Sequence, residues 1–333
     1  MEETLMNAYD SAFEDVINSW IEEGLSESEI LQKLEHVDFE KPMSEIISIA
    51  SKDMMDFARA NMFEIAYGHR SENAEFDAHQ ELLWGKCFIA SETMYVLAVE
   101  AAELYSKFVD ENIEEDQKIL KQYTFLALQH IHGRACQQYL EIICLMKHGF
   151  ADGAYARWRS MYELSCIGEF IRSNGEEIAK QYYLQSQTED KNYTWVKNAP
   201  CFAGRNGTRF TFQDIQNNCD FVNEVWEKQY RLACFVNHAS PQGTFKRLSN
   251  GKTLNQIPIG QSDYGITTAA EHSAISLQLI TTLFLTIFPE LDGVARCRFL
   301  RNWVDVIREL YFSTSDDAFK DIDNEEESDG CSK

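Results

Sequence analysis

Apolar residues recur at steps of three and four along most of this chain, and this spacing limits the folds open to it. The clearest run begins at Leu128 and continues through Ile131, Ala135, Tyr139, Ile142 and Met146. Residues three and four apart lie on one face of a helix, so the run predicts an amphipathic helix with one buried face. The five prolines fall where such runs stop, as expected of a residue that cannot donate a helix hydrogen bond. No alternating apolar run is long enough to predict a sheet.

The same spacing predicts helices along nearly the whole chain. Residues 8–60 are interpreted as two or three short helices, and Ser26 with Glu29 has the pattern of a capping box that opens one of them. Longer helices are expected at 73–112, 114–148, 154–172, 176–190, 212–238, 264–288 and 290–312. The tight turn 149–153 would make its flanking helices antiparallel neighbours. Within the irregular segment before residue 264, Asn250 and Gly251 fit a two-residue hairpin turn.

The predicted fold class is therefore all-α, a multi-helix bundle with long antiparallel helices and an acidic helical N-terminal extension. The extension is residues 1–60, which hold fifteen acids and four bases. Residues 61–312 are predicted to form the main bundle. Residues 313–333 hold eight acids, two lysines and no periodicity, and this composition predicts a disordered acidic tail.

Three features predict a cytoplasmic location without a membrane span. The first twenty residues contain acids and no lysine or arginine, whereas a secretory signal begins with basic residues. The most apolar run, 275–288, is shorter than the about 20 residues that a bilayer requires and is interpreted as a core helix. The nine cysteines are an odd number, and several fall within helical patterns. This use is typical of free thiols in a reducing compartment.

The most informative charge pattern lies in two loops. The chain has 54 acids, 30 bases and a net charge of −24, which repels nucleic acid and anionic membranes unless positive charge is gathered locally. The irregular segments 191–209 and 239–262, which bracket the predicted helix 212–238, contain seven bases and no acid. We predict anion binding at six of these bases, although the bases could equally serve to keep exposed loops soluble: Lys197, Arg205, Arg209, Lys246, Arg247 and Lys252.

The end of the predicted helix 212–238 carries the sharpest catalytic candidate. Residues 231–238 read RLACFVNH, and at about 100° per residue Arg231 and His238 return to nearly the same face. An arginine that binds phosphate beside a histidine that transfers protons suits RNA cleavage by the 2′-hydroxyl. Asn237 is the third candidate catalytic residue. The alternative is structural: Arg231 would be a solvated helix charge and His238 a partner of the last carbonyls.

This R-x6-H spacing resembles the R-x4-6-H motif of the HEPN family of metal-independent ribonucleases, small helical proteins common in toxin and phage-defence systems. In that family two copies of the motif meet across a dimer. The resemblance therefore implies a homodimer that cleaves RNA, with His238 as general acid and base and Arg231 as phosphate clamp.

A second pattern begins at Gly149 and Gly153 and continues through Arg159, Tyr162 and Glu163. Together with the later Tyr230, Asn237 and His238, it resembles a bacterial helical family catalogued as a domain of unknown function. The resemblance spans about 120–290 and implies a helical fold but no activity. Arg159 and Glu163, four residues apart, either form a structural ion pair or belong to a supporting polar site with Glu141, Tyr230 and His238.

Two functions therefore remain open. The chain is either an endoribonuclease of the HEPN type, acting in stress or phage defence, or a non-catalytic helical module. Such a module would bind a nucleotide, or would bind a basic protein through residues 1–60. We predict no cofactor and no metal site, because His130 and His132 point to different sides of a helix and no Glu-x-x-His pair occurs. Walker and Rossmann glycine patterns are also missing from the sequence.

Overall fold

The computed structural model describes residues 13–34, 40–190, 192–205, 209–238, 240–250 and 259–329, and every regular element in those ranges is helical. Residues 13–22 form α1. The other α-helices are α2 (Glu27–Leu34), α3 (Glu40–Asn112), α4 (Glu115–Leu120), α5 (Gln122–Lys147), α6 (Ala151–Asn174), α7 (Glu176–Gln185), α8 (Phe212–Gln216), α9 (Glu224–Asn237), α10 (Pro241–Phe245), α11 (Ile266–Leu285) and α12 (Leu291–Asp329). The predicted all-α, multi-helix class is confirmed.

The chain divides into two compact units, Met1–Ala74 and Glu75–Lys333, whereas the sequence predicts a boundary after residue 60. Residues 60 and 74 both lie within α3, and the boundary after residue 60 stays a prediction. In the first unit one half of the predicted capping box is present, since the Ser26 amide donates to Glu29 Oε2 at 2.9 Å, and Ser26 Oγ donates to the same oxygen at 2.6 Å. These hydrogen bonds lower the pKa of Glu29.

Helix α11 lies at the centre of the second unit. It packs against α5, α6 and α12, and residues on several of its faces are buried, among them Ile266, His272, Ala274 and Ser276. Helices α5 and α6 pack on each other across the turn at 148–150, and α7 packs on α5. The apolar run 275–288 is thus part of a protein core, as its interrupted composition predicts.

Helix α12 packs on the second unit's part of α3 through aromatic residues. The rings of Trp84 and Tyr311 stack with centroids 5.9 Å apart, and the Trp303 indole donates to the Ala90 carbonyl at 3.0 Å. The sequence predicts a disordered tail from residue 313, and the structure instead continues α12 to Asp329. As far as Phe319 the helix has packing that a charge count misses, since the ring of Phe319 stacks on Tyr264 with centroids 4.4 Å apart.

The predicted helix 212–238 is two helices, α8 and α9, separated by residues 217–223. Asn223 caps α9, because its Oδ1 accepts hydrogen bonds from the amides of Val225 at 3.0 Å and Trp226 at 3.2 Å. The two basic loops therefore do not flank one straight helix. Lys191, Gly251 of the predicted hairpin turn and Lys252 of the predicted anion site lie outside the described residues.

One helix in the described part of the chain, Ile46–Asn112, is long and apolar enough to cross a membrane by length and composition. Of its qualifying apolar stretch of 18 residues, 44% is buried within the protein. A core helix meets the same criterion, and Trp84, Phe88 and Met94 of this helix are core residues. A soluble protein is consistent with this burial, and the cytoplasmic location stays a prediction.

Candidate functional site

Helix α9 presents the three candidate catalytic residues at its C-terminal end. Its inward face carries the buried Ala233 and the half-buried Tyr230, whereas Arg231, Asn237 and His238 are exposed. The helix ends at Asn237, and His238 is its C-cap with extended backbone (φ −103°, ψ 148°). Within the described residues, no side-chain hydrogen bond or ion pair joins any of the three to a neighbour. One copy of the chain therefore leaves these groups free to meet a ligand or another molecule.

Two exposed aromatic rings belong to α9 and to α10, the helix that follows it. Phe235, which precedes Asn237 by two residues, is 43% exposed, and Phe245 at the end of α10 is 76% exposed. Helix α10 packs on α9 and is capped by Ser240, whose Oγ accepts a hydrogen bond from the Gly243 amide at 3.0 Å. Gly243 lies so close to the Phe235 carbonyl that a Cβ would overlap it. The resulting surface combines a cation, an imidazole and two phenyl rings.

The predicted anion-binding bases do not form one set. Lys197, Arg209 and Lys246 are exposed, and so is Arg247. Arg205 has internal partners instead: its Nη1 lies 2.6 Å from Asp214 Oδ1, and its Nη2 donates to the Arg209 carbonyl at 3.1 Å. This hydrogen bond from Arg205 lowers the pKa of Asp214. An acid from α8 therefore partly neutralises Arg205, and anion binding at Arg205 stays a prediction.

Arg159, Glu163 and Tyr230 meet as the sequence predicts. Arg159 Nη2 lies 2.9 Å from Glu163 Oε1, and the Tyr230 hydroxyl donates to the same oxygen at 2.7 Å. The guanidinium Cζ also lies 5.6 Å from the centre of the Tyr230 ring. Burial opposes a charged Arg159, but the Tyr230 hydroxyl and the Glu163 charge raise its pKa. Burial and Glu163 together raise the pKa of Tyr230.

Glu141 does not belong to this cluster. Its carboxylate pairs with Arg157, which lies two residues from Arg159 and therefore points to a different side of α6. No hydrogen bond or ion pair in the described part of the chain joins His238 to Arg159 or Glu163. The structure thus brings Arg159, Glu163 and Tyr230 together, and a polar site that also includes Glu141 and His238 stays a prediction.

The sequence interpretation missed a buried histidine enclosed by aromatic rings. The ring of His272 on α11 lies edge-on to those of Trp158, Trp226 and Tyr155, with centroids 4.9, 5.5 and 6.0 Å away. Its Nδ1 lies 2.8 Å from the Thr268 carbonyl and must donate there. Burial lowers the pKa of His272. The available signal was the regular spacing of Tyr155 and Trp158 along α6, which marks one aromatic face.

In the described part of the chain, no group of three or more histidine, cysteine, aspartate or glutamate side chains could hold a metal ion. The two histidines considered from the sequence have separate surroundings. His132 is buried with its Nε2 3.1 Å from Thr281 Oγ1, and burial lowers its pKa to about 4. His130 is exposed. The two imidazoles therefore serve different environments, as their positions two residues apart on α5 predict.

Comparison with protein families matches residues 125–200 to a family described as "Family of unknown function (DUF5677)". The match covers α6 and α7 and most of α5, and it includes Arg159 and Glu163. It supports the resemblance to a helical family of unknown function, within the range that the sequence indicated. The resemblance to HEPN ribonucleases stays a prediction. Comparisons with the curated proteins and with the solved structures give no match.

Proposed function

We propose that this protein is a metal-independent endoribonuclease of the HEPN type that works as a homodimer. The observation that carries the proposal is the end of α9, where Arg231 and His238 are exposed and have no side-chain partner within the described residues. Catalytic groups that are free in one copy can be completed by a second copy. The exposed rings of Phe235 and Phe245 beside them favour self-association, because exposed apolar patches are typical of interaction surfaces.

The chemistry follows from the two residue types. His238 of one copy accepts the proton of the RNA 2′-hydroxyl, and the freed oxygen attacks the adjacent phosphorus. The bond to the 5′-oxygen breaks, and the same residue of the second copy, protonated, returns a proton to that leaving oxygen. Arg231 binds the non-bridging oxygens and offsets their charge. The products are a 2′,3′-cyclic phosphate and a 5′-hydroxyl, and no metal takes part.

The test is cleavage of a defined single-stranded RNA in excess EDTA, with product ends identified by mass spectrometry. We expect cyclic-phosphate ends, and we expect His238→Ala to lower the rate by at least about 100-fold, since general acid–base groups contribute that much. His69→Ala, at an exposed histidine on α3, is the matched control and should keep full activity. Phe235→Glu should lower activity together with the dimer fraction measured by light scattering. Identical RNA profiles for the wild type and His238→Ala would reject the proposal.

A non-catalytic binding module remains the second candidate, and exposed apolar residues on the N-terminal part of α3 favour it. Nine large apolar side chains between residues 47 and 67 are each at least 41% exposed, namely Ile47, Ile49, Met54, Met55, Phe57, Met62, Phe63, Ile65 and Tyr67. The surrounding first sixty residues are strongly acidic. A partner for this segment would therefore be a basic amphipathic helix.

A matched pair of synthetic helices tests this second candidate, one with lysine and one with glutamate on its polar face. The basic peptide should bind the full chain with an affinity that falls as salt rises, and the acidic peptide should not bind. Replacing Phe57 and Phe63 by serine should weaken binding, whereas Phe245→Ser, at an exposed ring elsewhere, should not. Equal binding of both peptides would refute a charge-selected partner.

A further inference from the structure

An open cavity of about 630 Å³ lies between the start of α5, the end of α7 and the loop that follows α7. Its lining contains neither Arg231 nor His238. Four aromatic side chains line it, Tyr182, Tyr183, Tyr193 and Trp195, and the remaining lining is rich in amides and hydroxyls. This composition differs from the acid-coated surface of the rest of the chain and from the ordinary interior of a helical bundle.

The aromatic side chains are held in place from behind. The Trp195 ring is buried and lies edge-on to Phe170 and Tyr182, with centroids 5.7 and 5.0 Å away. The ring of Tyr183 is 39% exposed and rests against Tyr123 with centroids 5.6 Å apart. One side of the cavity is therefore a fixed wall, and the exposed ring of Tyr183 is available for stacking.

The loop after α7 is fixed by the side-chain amide of Gln185. Its Oε1 accepts hydrogen bonds from the Trp195 amide at 2.9 Å and from Thr194 Oγ1 at 3.0 Å. Its Nε2 donates to the backbone carbonyls of Asp190, at 3.1 Å, and Asn192. A loop tied at four points does not need to be ordered when a ligand binds, and this lowers the entropy cost of binding.

Asp190 supplies a fixed carboxylate at the cavity. Its Oδ1 accepts hydrogen bonds from the amide and the side chain of Asn192, and its Oδ2 accepts one from Thr194. These hydrogen bonds from Asn192 and Thr194 lower the pKa of Asp190. An ionised carboxylate has about four acceptor positions, so Oδ2 retains one for an N–H group of a ligand.

A positive charge lies beside this wall. The ammonium of Lys180 on α7 lies 5.9 Å from the centre of the Tyr123 ring, which itself contacts Tyr183. His130 of α5 also lines the cavity and is exposed. The cavity thus combines stacking surface, an acceptor for N–H groups and the imidazole of His130, and the ammonium of Lys180 lies outside its lining, on the ring that Tyr183 contacts.

We propose that this cavity, lined by Tyr183, Trp195 and Asp190, binds the base of a nucleotide. Stacking on aromatic rings and hydrogen bonds to base edges are how proteins hold unpaired bases, and Lys180 is placed to attract the attached phosphate. The site goes beyond the proposed ribonuclease activity, because it uses none of its catalytic residues. A free nucleotide and single-stranded RNA share the recognised chemistry.

The experiment is isothermal titration of the full-length His238→Ala chain in EDTA, which separates binding from cleavage. The probes are AMP, ribose 5-phosphate and a five-residue oligoadenylate. We expect AMP to bind saturably and ribose 5-phosphate to bind at least about tenfold more weakly, since the base supplies the stacking. Tighter binding of the oligoadenylate would identify RNA as the source of the base, and equal binding would identify a free nucleotide.

Tyr183→Ala should weaken AMP binding at least about tenfold, and Tyr183→Phe should retain it because the ring remains. Tyr67→Ala, at an exposed tyrosine of α3, is the control and should bind as the parent does. Circular dichroism verifies that each variant is folded. No saturable AMP binding at millimolar concentration, equal affinity for ribose 5-phosphate, or unchanged affinity in Tyr183→Ala would overturn the proposal, whatever the outcome of the cleavage assay.

Discussion

Replacing Tyr230 by phenylalanine removes one hydroxyl from the cluster that joins α9 to α6. The hydroxyl donates to Glu163 Oε1 at 2.7 Å, and the ring contacts of Tyr230 with Tyr162 and Phe212 remain in the variant. A hydrogen bond to a charged group contributes about 1.5–3 kcal/mol to stability. The Arg159 and Glu163 side chains are 26% and 25% exposed, so water partly replaces the lost donor. We therefore expect a loss of about 1–2 kcal/mol in the free energy of unfolding.

The assay is urea denaturation followed by circular dichroism. The unfolding midpoints of the wild type and the variant are compared, with one slope of unfolding free energy against urea concentration for both. A double-mutant cycle with Glu163→Leu, which removes the accepting oxygen, isolates the Tyr230–Glu163 interaction, and we expect a coupling of about 1 kcal/mol. Tyr183→Phe is the matched control, because that ring is exposed and its hydroxyl has no hydrogen bond in the described part of the chain. Its effect should stay within about 0.5 kcal/mol. If Tyr230→Phe behaves like this control, or the coupling falls below about 0.3 kcal/mol, the cluster does not anchor α9.

Three further predictions concern stability and use the same denaturation assay. Buried His132 has a pKa of about 4, below its ordinary 6.5, so the unfolded chain binds the proton more readily between these values. Because of this group, the free energy of unfolding should fall by about 3 kcal/mol as the pH drops from 6.5 to 4. His132→Gln should weaken this pH dependence, whereas His130→Gln, at an exposed histidine, should leave it unchanged. Glu176 accepts three hydrogen bonds from the first turn of α5, so Glu176→Ala should lower the free energy of unfolding by about 1–2 kcal/mol. The control Glu177→Ala, at an exposed residue, should lower it by less than about 0.5 kcal/mol. Gly265 has φ +83°, so Gly265→Ala should cost more than about 1 kcal/mol.

Helices that bury one face could be predicted closely from the sequence. Helix α5 was expected within 114–148 and forms Gln122–Lys147, and α6 was expected at 154–172 and forms Ala151–Asn174. Both carry a regular stripe that packs against another helix, so periodicity and burial agree. The sequence predicts short helices within 8–60 and a separate helix at 73–112, whereas α3 is continuous from Glu40 to Asn112. Residues 40–74 bury few apolar side chains, and an unburied helix has no clear stripe.

The start of a helix can be predicted from its N-cap residue, and two N-cap residues of this chain illustrate this. The pattern at Ser26 predicts the start of a helix. Asn223 also precedes an apolar-periodic stretch, which is a typical N-cap position, but the prediction of one helix over 212–238 does not use it. The consequence was that α8 and α9 were interpreted as one helix. The continuation of α12 past residue 313 could not be predicted from composition, because it rests on contacts of Phe319 with residues far away in the chain.

Site residues close in sequence were easier to predict than those that meet through tertiary packing. Arg159 and Glu163 are one helical turn apart, and their ion pair follows from that spacing. The pairing of Arg205 with Asp214 crosses a loop and the start of a helix, and no local pattern reveals it. The cavity beside Tyr183 arises where α5, α7 and a loop converge. The sequence shows its aromatic residues, but it does not show how they are arranged in space.

The distribution of satisfied polar groups indicates where this protein can bind a ligand. Inside the second unit, Glu163 already holds Arg159 and Tyr230, and His272 already donates to a backbone carbonyl. A ligand that competes for such groups must first break their hydrogen bonds, and it gains little from the exchange. Within the described residues, Arg231 and His238 at the end of α9 have no side-chain partner, and the Tyr183 cavity offers an exposed ring and one unused acceptor position on Asp190. These are the two places where we propose binding, and the cleavage and titration experiments address each of them separately.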